Sequence, residues 1–180
     1  DEIAAQVLKD FEDRVELWKR KQNKILFPVG IGTFENYAVL GRGLGASPDG
    51  RLAKGPLAPN YSPTAGADVN GPTAVFKSAT RPELLKYYCG CPLDIAVNSN
   101  EFEGEAGVDR MVALLKSFCD LGGQILTVTS CSIDDFIDAK LHPERHGDLR
   151  VRMGGLSAYF IAMSPVQQDN IIKRFNKGAL

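Results

Sequence analysis

The sequence has no excess of charge of either sign. Its 180 residues include 21 Lys plus Arg and 22 Asp plus Glu, which gives a formal net charge of −1. Nucleic acids and anionic membrane surfaces attract strongly basic proteins, so this balance gives no electrostatic reason to expect either partner. Charge therefore indicates no class of partner.

Long apolar runs are also missing. The longest, Gln124-Ile-Leu-Thr-Val-Thr129 and Ala158-Tyr-Phe-Ile-Ala-Met163, are far shorter than the roughly 20 residues of a membrane-spanning helix. The first residues do not form the basic and then apolar segment of a secretion signal. We therefore expect a soluble, cytoplasmic protein. Because residue 1 is Asp1 rather than methionine, we also expect trimming, a removed tag or a fragment of a longer product.

Cysteine is scarce, and no metal site is predicted. The 4 cysteines are Cys89, Cys91, Cys119 and Cys131. A chain of this length can bury a core without disulfides, so we expect reduced thiols. One residue separates Cys89 from Cys91, which is a poor spacing for tetrahedral zinc. His142 and His146 stand four positions apart, but Pro143 disturbs the helix that would align them.

Two motifs that suggest nucleotide binding or acyl transfer each lack an essential part. Gly41-Arg-Gly-Leu-Gly45 leads into the turn Ser47-Pro-Asp-Gly50, whereas a phosphate-binding loop leads into a helix N-terminus. Ser157 is not followed by the glycine of a strained nucleophile elbow. Neither chemistry is predicted.

The first part of the chain contains one periodic segment and one irregular segment. Residues 1–21 have apolar residues at helical spacing, which predicts an amphipathic packing helix. These residues are Ile3, Val7, Phe11, Val15 and Trp18, with Leu8 beside them. Residues 27–72 are rich in turn formers, and we expect an irregular but ordered segment.

Helices and strands alternate in the rest of the chain. We predict a short helix after Pro82, strands over 93–97, 125–129 and 149–153, and helices over 108–121, 134–141 and 166–175. This alternation favours an α/β fold with mainly parallel strands. So few strands would leave both edges of the sheet open. We therefore expect part of a sheet or barrel that another chain completes.

Gly154 and Gly155 directly follow a predicted strand. Glycine adopts positive φ without a Cβ clash, so the pair predicts a tight reversal of the backbone. On these two residues alone, a hairpin tip or bulge is the simpler interpretation. The residues around them indicate a more specific one.

The stretch Arg150-Val-Arg-Met-Gly-Gly-Leu-Ser-Ala-Tyr-Phe160 closely resembles the C-terminal signature of glycyl radical enzymes, Arg-Val-x-Gly-Tyr-Ser-Ala. The helix that follows the glycine in that family resembles Ser164-Pro-Val-Gln-Gln-Asp-Asn-Ile-Ile-Lys-Arg174. In this register the radical glycine falls on Gly155.

The resemblance also implies a supporting loop around that glycine. Arg152 and Ser157 match the arginine and serine of the signature, and Gly154 occupies its variable position. Met153 stands in place of the valine, and Leu156 in place of the usual aromatic residue.

Further segments resemble the pyruvate formate-lyase-like group in the same order. They are Gly45-Ala-Ser-Pro-Asp-Gly-Arg51, Pro56-Leu-Ala58, Ser62-Pro63, Asn70-Gly-Pro-Thr-Ala74, Asp120-Leu-Gly-Gly-Gln124 and His142-Pro-Glu144. We expect a single glycyl radical domain, with a helical lead-in over about residues 1–45 and a family-matching region over about 46–180. The pattern favours dehydratases, C–N and C–S lyases and decarboxylases over ribonucleotide reductases, whose glycine domains add a four-cysteine zinc site.

The resemblance implies the fold and the radical chemistry. The chain would supply the C-terminal strands and helices of a ten-stranded β/α barrel with the glycine loop, and it would be incomplete without a partner chain. No bound cofactor is expected. A radical-SAM activating enzyme, which uses S-adenosylmethionine and an iron–sulfur cluster, would take one hydrogen atom from Gly155. A glycine suits this role because a side chain would crowd the planar radical centre, and the family's enzymes work without oxygen.

In that family the radical passes to a cysteine, which becomes a thiyl radical and attacks the substrate. That cysteine lies upstream of every matched segment, so none of the four cysteines here occupies its place. Thr129 and Cys131 are candidates for the substrate wall.

Three hypotheses follow from the resemblance. In the first, the chain is the small subunit or C-terminal fragment of a lyase-type enzyme that cleaves C–O, C–N, C–S or C–C bonds, inactive without a large cysteine-bearing chain. In the second, it is a replacement domain that repairs an oxygen-cleaved enzyme. In the third, it is a relic or interaction module without a radical. The sequence indicates neither the substrate nor the oligomeric state.

Overall fold

A computed structural model describes residues 2–21, 28–34, 36–153 and 155–175. Helices and strands follow one another along the chain in a mixed α/β architecture. The elements are α1 (Glu2–Lys21), α2 (Tyr37–Gly41), α3 (Pro72–Ala79), β1 (Pro92–Asn98), α4 (Gly104–Asp120), β2 (Ile125–Cys131), α5 (Ile133–Leu141), β3 (Arg150–Met153), β4 (Leu156–Tyr159) and α6 (Pro165–Phe175).

The predicted strands and helices from residue 93 to residue 175 are confirmed, with small differences at their ends, but strand β4 was not predicted. Helix α4 begins at Gly104, four residues before the predicted start. The prediction was late because the first turn is rich in glycine and the apolar periodicity begins only at Val108. The residues after Pro82 form a 3-10 turn, Leu84–Lys86, instead of an α-helix. Helix α3 was missed because Pro72, which occupies its first turn, also completes a turn signal.

The four strands form two separate pairs. Strands β1 and β2 are parallel, with Pro92 opposite Ile125 and Asn98 opposite Cys131. Strands β3 and β4 are antiparallel, so the expectation of mainly parallel strands holds only for the first pair. Two residues connect β3 to β4, and a connection this short permits only an antiparallel hairpin.

The first hydrophobic cluster lies between α3, β1 and α4. Its buried members are Val75, Phe76, Leu93, Ile95, Val97, Leu114 and Phe118. The rings of Phe76 and Phe118 meet edge to face with centroids 5.1 Å apart. Gly122, with a φ of 81°, ends the turn after α4 as the sequence predicts. The chain can therefore fold back and place β2 beside β1.

The second cluster lies between α5, the β3–β4 hairpin and α6. Its buried members are Phe136, Ala139, Val151, Phe160 and Ile171. Phe136 packs against the rings of Phe160 and Phe175 at centroid distances of 4.8 and 5.1 Å. Through this cluster, the hairpin packs on α5, the helix before it in the chain, and on α6, the helix after it.

A buried polar network connects the irregular segment to both parallel strands. Asp94, in the middle of β1, is 4% exposed. Its carboxylate accepts hydrogen bonds from Asn60 Nδ2 at 2.6 Å and from the hydroxyl of Thr127. Its backbone amide donates to Ser62 Oγ at 2.8 Å. Asn60 Oδ1 in turn accepts from the amides of Thr33 and Phe34, so one loop is attached to the sheet through a single side chain.

Helix α1 confirms the predicted amphipathic helix, but its apolar stripe is not buried. Ile3, Val7 and Trp18 are 83%, 61% and 58% exposed. The helix contacts the rest of the chain through another face, where Tyr87 donates to the Leu8 carbonyl at 3.3 Å. No helix in the described residues is both long enough and apolar enough to cross a bilayer.

We predict that Asn60→Ala lowers the free energy of unfolding by about 2 kcal/mol, because it removes a donor from a buried carboxylate and an acceptor from two amides. Asn100→Ala is the matched control, since Asn100 is exposed. Its effect should stay within about 0.5 kcal/mol. Urea denaturation of both variants measures the difference, and equal midpoints would contradict the role given to the network.

Candidate functional site: the glycine hairpin

The β3–β4 hairpin carries Gly155 at its tip. Met153 pairs with Leu156, and two residues lie between them. Gly155 is exposed and has a φ of 90°, a backbone conformation that residues with a side chain rarely adopt. Gly154, the other residue between the strands, lies outside the described residues. The predicted reversal of the chain at this point is therefore confirmed.

The inner face of the hairpin packs on the core. Val151 is 1% exposed and belongs to the cluster around Phe136. Met153 is 7% exposed and packs with Tyr37 and Ala38 of α2. Burial raises the pKa of the Tyr37 phenol, so this group is neutral at physiological pH. The last residue before the glycine pair is therefore anchored.

The outer face carries two arginines that bond across the hairpin. Arg152 Nη1 donates to Ser157 Oγ at 2.6 Å, and Arg150 Nη2 donates to the Tyr159 hydroxyl at 3.1 Å. The Arg150 guanidinium also lies 5.0 Å from the centre of the Tyr159 ring. Two members of the predicted supporting loop, Arg152 and Ser157, thus contact each other directly, while Leu156 is 63% exposed.

The backbone of the hairpin also contacts β2. The amide of Arg152 donates to Thr129 Oγ1 at 3.1 Å. Thr129, predicted as a substrate-wall residue, is therefore brought next to the glycine hairpin by the fold. The sequence alone does not indicate a contact between Thr129 and Arg152, because 22 residues separate them.

Space around Gly155 is open on the described chain. A Cβ built on this residue meets no atom within 4 Å. An alanine here would therefore be strained by the positive φ but would not collide with a neighbour. The backbone conformation therefore favours glycine at this position, and no atom of the described residues would crowd a side chain there.

Cys131, the other candidate for the substrate wall, lies at the end of β2 and packs against the cluster around Phe136. Its thiol donates to Asp135 Oδ2 at 3.6 Å. Burial, together with the Asp135 carboxylate, raises the pKa of the Cys131 thiol to about 11. The group is therefore a protonated, half-buried thiol at neutral pH.

The remaining candidate motifs form ordinary structural contacts. All four cysteines are free thiols. No group of three or more His, Cys, Asp or Glu side chains in the described residues is arranged to hold a metal ion. Arg51 donates to the carbonyls of Gly45 and Gly55 at 2.5 and 3.0 Å, so it closes the glycine-rich segment into a turn.

Sequence reasoning missed two supports of the hairpin. Tyr37 lies in the segment predicted to be irregular, and its aromatic side chain there was the only signal of burial. Gln168 of α6 donates to the Phe160 carbonyl at 3.0 Å, directly after β4. A glutamine three and four positions before Ile171 and Ile172, on the same face of a predicted helix, is a signal that could have identified this contact.

We predict that Cys131 reacts with iodoacetamide at pH 8 on the order of 100-fold more slowly than exposed Cys119, because only the thiolate is nucleophilic. Asp135→Asn removes the negative charge beside the thiol, so the pKa of Cys131 should fall and its alkylation should accelerate. Mass spectrometry of the modified peptides over a pH series measures both rates. An unchanged rate in Asp135→Asn would show that burial alone raises the pKa.

Comparisons with known proteins agree with the position of this hairpin. A family profile described as "Glycine radical" matches residues 57–161. The isethionate sulfite-lyase of Oleidesulfovibrio alaskensis is 35% identical over 149 residues, which cover 82% of this chain and 18% of that protein. The indoleacetate decarboxylase of Tractidigestivibacter scatoligenes is 29% identical over 181 residues, covering 100% of this chain and 20% of that protein.

A solved structure shares the fold. The glycerol-bound form of the B12-independent glycerol dehydratase from Clostridium butyricum matches with a TM-score of 0.79 at 28% identity, over 91% of this chain and 22% of that chain. The chain thus spans about a fifth of the length of these relatives. The resemblance noted in the sequence is confirmed: the chain belongs to the glycyl radical enzyme family, pyruvate formate-lyase-like group, and carries its glycine radical domain.

Proposed function

We propose that Gly155 stores the radical, and that the chain is the glycyl-radical-bearing part of an enzyme whose thiyl cysteine lies on a partner chain. The observation that carries this proposal is the position of Gly155. It stands at the tip of an anchored hairpin, within the residues that match the glycine radical family.

The surroundings of Gly155 support a role that requires close approach by another group. The Cα of Gly155 has open space on the described chain, and Leu156 beside it is largely exposed. A stored radical must be shielded from water and oxygen. The described residues do not supply that cover, so we assign it to the partner.

The surface of the hairpin and of β2 supports the same partner. Arg150 and Arg152 bond to hydroxyl groups and have no carboxylate partner within the described ranges. Strand β1 is buried along its length, whereas Ile125 and Ser130 of β2 are exposed. Strands of a parallel sheet are normally covered on both faces, so we expect further elements of the barrel to pack here.

The reaction proposed for the complete enzyme is of the lyase type. The relatives matched by this chain are named as a sulfite-lyase, a decarboxylase and a dehydratase. In the proposed relay, a hydrogen atom moves from the partner's thiol to the Cα of Gly155, which leaves a thiyl radical to attack the substrate. A radical-SAM activating enzyme would create the glycine radical in the first place. The bond that is cleaved depends on residues of the partner.

The replacement-domain hypothesis receives less support from the extent of the match. A domain that replaces a lost glycine loop needs only the piece that cleavage removes. The likeness to the glycerol dehydratase covers 91% of this chain, well beyond the residues 57–161 of the family profile. This extent favours a subunit or fragment that completes a barrel.

We predict that anaerobic incubation with an activating enzyme and S-adenosylmethionine produces an electron paramagnetic resonance doublet, which is absent in Gly155→Ala. The doublet is expected because one hydrogen remains on the Cα of a glycine radical. Gly155→Ala should still fold, since the strain of an alanine at positive φ costs only about 1–2 kcal/mol. Circular dichroism checks that point.

Gly147→Ala is the matched control for this experiment. Gly147 is exposed, and a Cβ there meets no atom within 4 Å. Its doublet should equal that of the unchanged chain. A signal that survives in Gly155→Ala would place the radical elsewhere, and no signal in the unchanged chain would support the relic hypothesis.

We also predict that turnover requires a second, cysteine-bearing chain. The natural candidate is the protein encoded beside this one. Activity should appear only when the activated chain and the candidate are mixed, and it should vanish when the candidate's barrel cysteine is replaced by serine. Turnover by this chain alone would contradict the proposal, and activity only with a truncated, cleaved host enzyme would favour the replacement domain.

A further inference from the structure

The hydrogen-bonding pattern of the hairpin leaves one edge of β3 available. The amide of Phe160 donates to the Leu149 carbonyl at 2.8 Å, which makes these two residues a hydrogen-bonded pair. Such pairs alternate with non-hydrogen-bonded pairs along an antiparallel ladder. Arg152 and Ser157, three steps along, therefore form a non-hydrogen-bonded pair, and the Arg152 amide points away from β4.

That outward amide is bound by a side chain of the parallel sheet. Arg152 N donates to Thr129 Oγ1 at 3.1 Å. No strand ladder joins β3 to β2 in the part of the chain that the structure describes. The hydroxyl of Thr129 therefore accepts the hydrogen bond that a carbonyl of a neighbouring strand would accept in a continuous sheet. The amide that donates this bond, on Arg152, lies three residues before Gly155.

Thr129 is held on a rigid base. Its strand pairs with β1 along seven residues, and Ala96 lies opposite Thr129 in that register. Leu126 and Val128 pack against the first cluster, so Thr129 faces the opposite side of the sheet. Two residues earlier, Thr127 bonds to the buried Asp94. A β-branched side chain on such a strand has few rotamers, so its hydroxyl direction is well defined.

We propose that Thr129 is a positioning residue: its hydroxyl, by binding the Arg152 amide, sets the position of Gly155 relative to the thiyl cysteine. Met153, packed on Tyr37, holds the hairpin from its other side. The inference rests on the proposed function of Gly155. Transfer between reacting atoms requires an approach of about 3–3.5 Å, and a misplacement of about 1 Å can lower the rate on the order of 100-fold.

This assignment differs from a role in the substrate wall. A wall residue presents its hydroxyl to the substrate, and its loss weakens substrate binding. A positioning residue uses its hydroxyl to bind the backbone. Loss of that hydroxyl slows the radical relay and leaves substrate binding unchanged.

The test compares three variants of the activated chain in complex with its cysteine-bearing partner. Thr129→Val keeps the shape of the side chain and removes the hydroxyl, whereas Thr129→Ser keeps the hydroxyl and removes the methyl group. Ser130→Ala is the matched control, because Ser130 is the next residue along β2 and is exposed. Measured quantities are hydrogen exchange of peptides that contain the Arg152 amide, the Gly155 doublet, kcat and KM.

We expect exchange at Arg152 to accelerate about five- to tenfold in Thr129→Val, as is typical for the loss of one neutral hydrogen bond. The Gly155 doublet should still form, kcat should fall at least tenfold and KM should not change. Thr129→Ser should restore exchange and most of kcat, and Ser130→Ala should match the unchanged protein.

Unchanged exchange or an unchanged kcat in Thr129→Val would overturn the inference, and a raised KM with unchanged kcat would assign Thr129 to the substrate wall instead. A different result would contradict the proposed function: the absence of a Gly155 doublet in the unchanged chain.

Discussion

A buried carboxylate organises the described fold. Asp94 lies in the middle of β1, almost without exposure, and a polar group in such a place requires hydrogen-bond partners. Asn60 and Thr127 meet that need from the irregular segment and from β2. Asp94, Asn60 and Thr127 therefore bond to one another and connect segments that are far apart in the chain.

The hairpin contacts β2 on one side and the helices on the other. Its inner residues, Val151 and Met153, pack into two different clusters, so α5 and α6 hold one part of it and α2 holds another. Its outer residues remain exposed, and Gly155 stands at the tip with open space around its Cα. Among the described residues, the hairpin therefore has a well-supported backbone and an outer face that no other segment covers.

Part of the site could be predicted and part could not. Gly155, Arg152 and Ser157 were predicted as site residues because they belong to one continuous signature, and the structure places all three on the β3–β4 hairpin. The roles of Thr129 and Cys131 were harder to predict, because the sequence places both on one strand and does not show where their side chains bond. The structure separates them: Thr129 contacts the hairpin backbone, whereas Cys131 packs on a core and bonds to Asp135.

The sequence by itself determined the family, the reversal of the chain at Gly155 and most of the helices and strands after residue 92, because these depend on a contiguous motif and on local periodicity. Only the tertiary structure decided that the last strands form an antiparallel hairpin apart from the parallel pair, and that the stripe of α1 is exposed. It also decided that Tyr37 packs on Met153 and that Thr129 accepts a hydrogen bond from the Arg152 amide. The physical reason is that each of these features is a contact between residues distant in the chain. Local propensity carries no information about which distant groups share a hydrogen bond or a buried face.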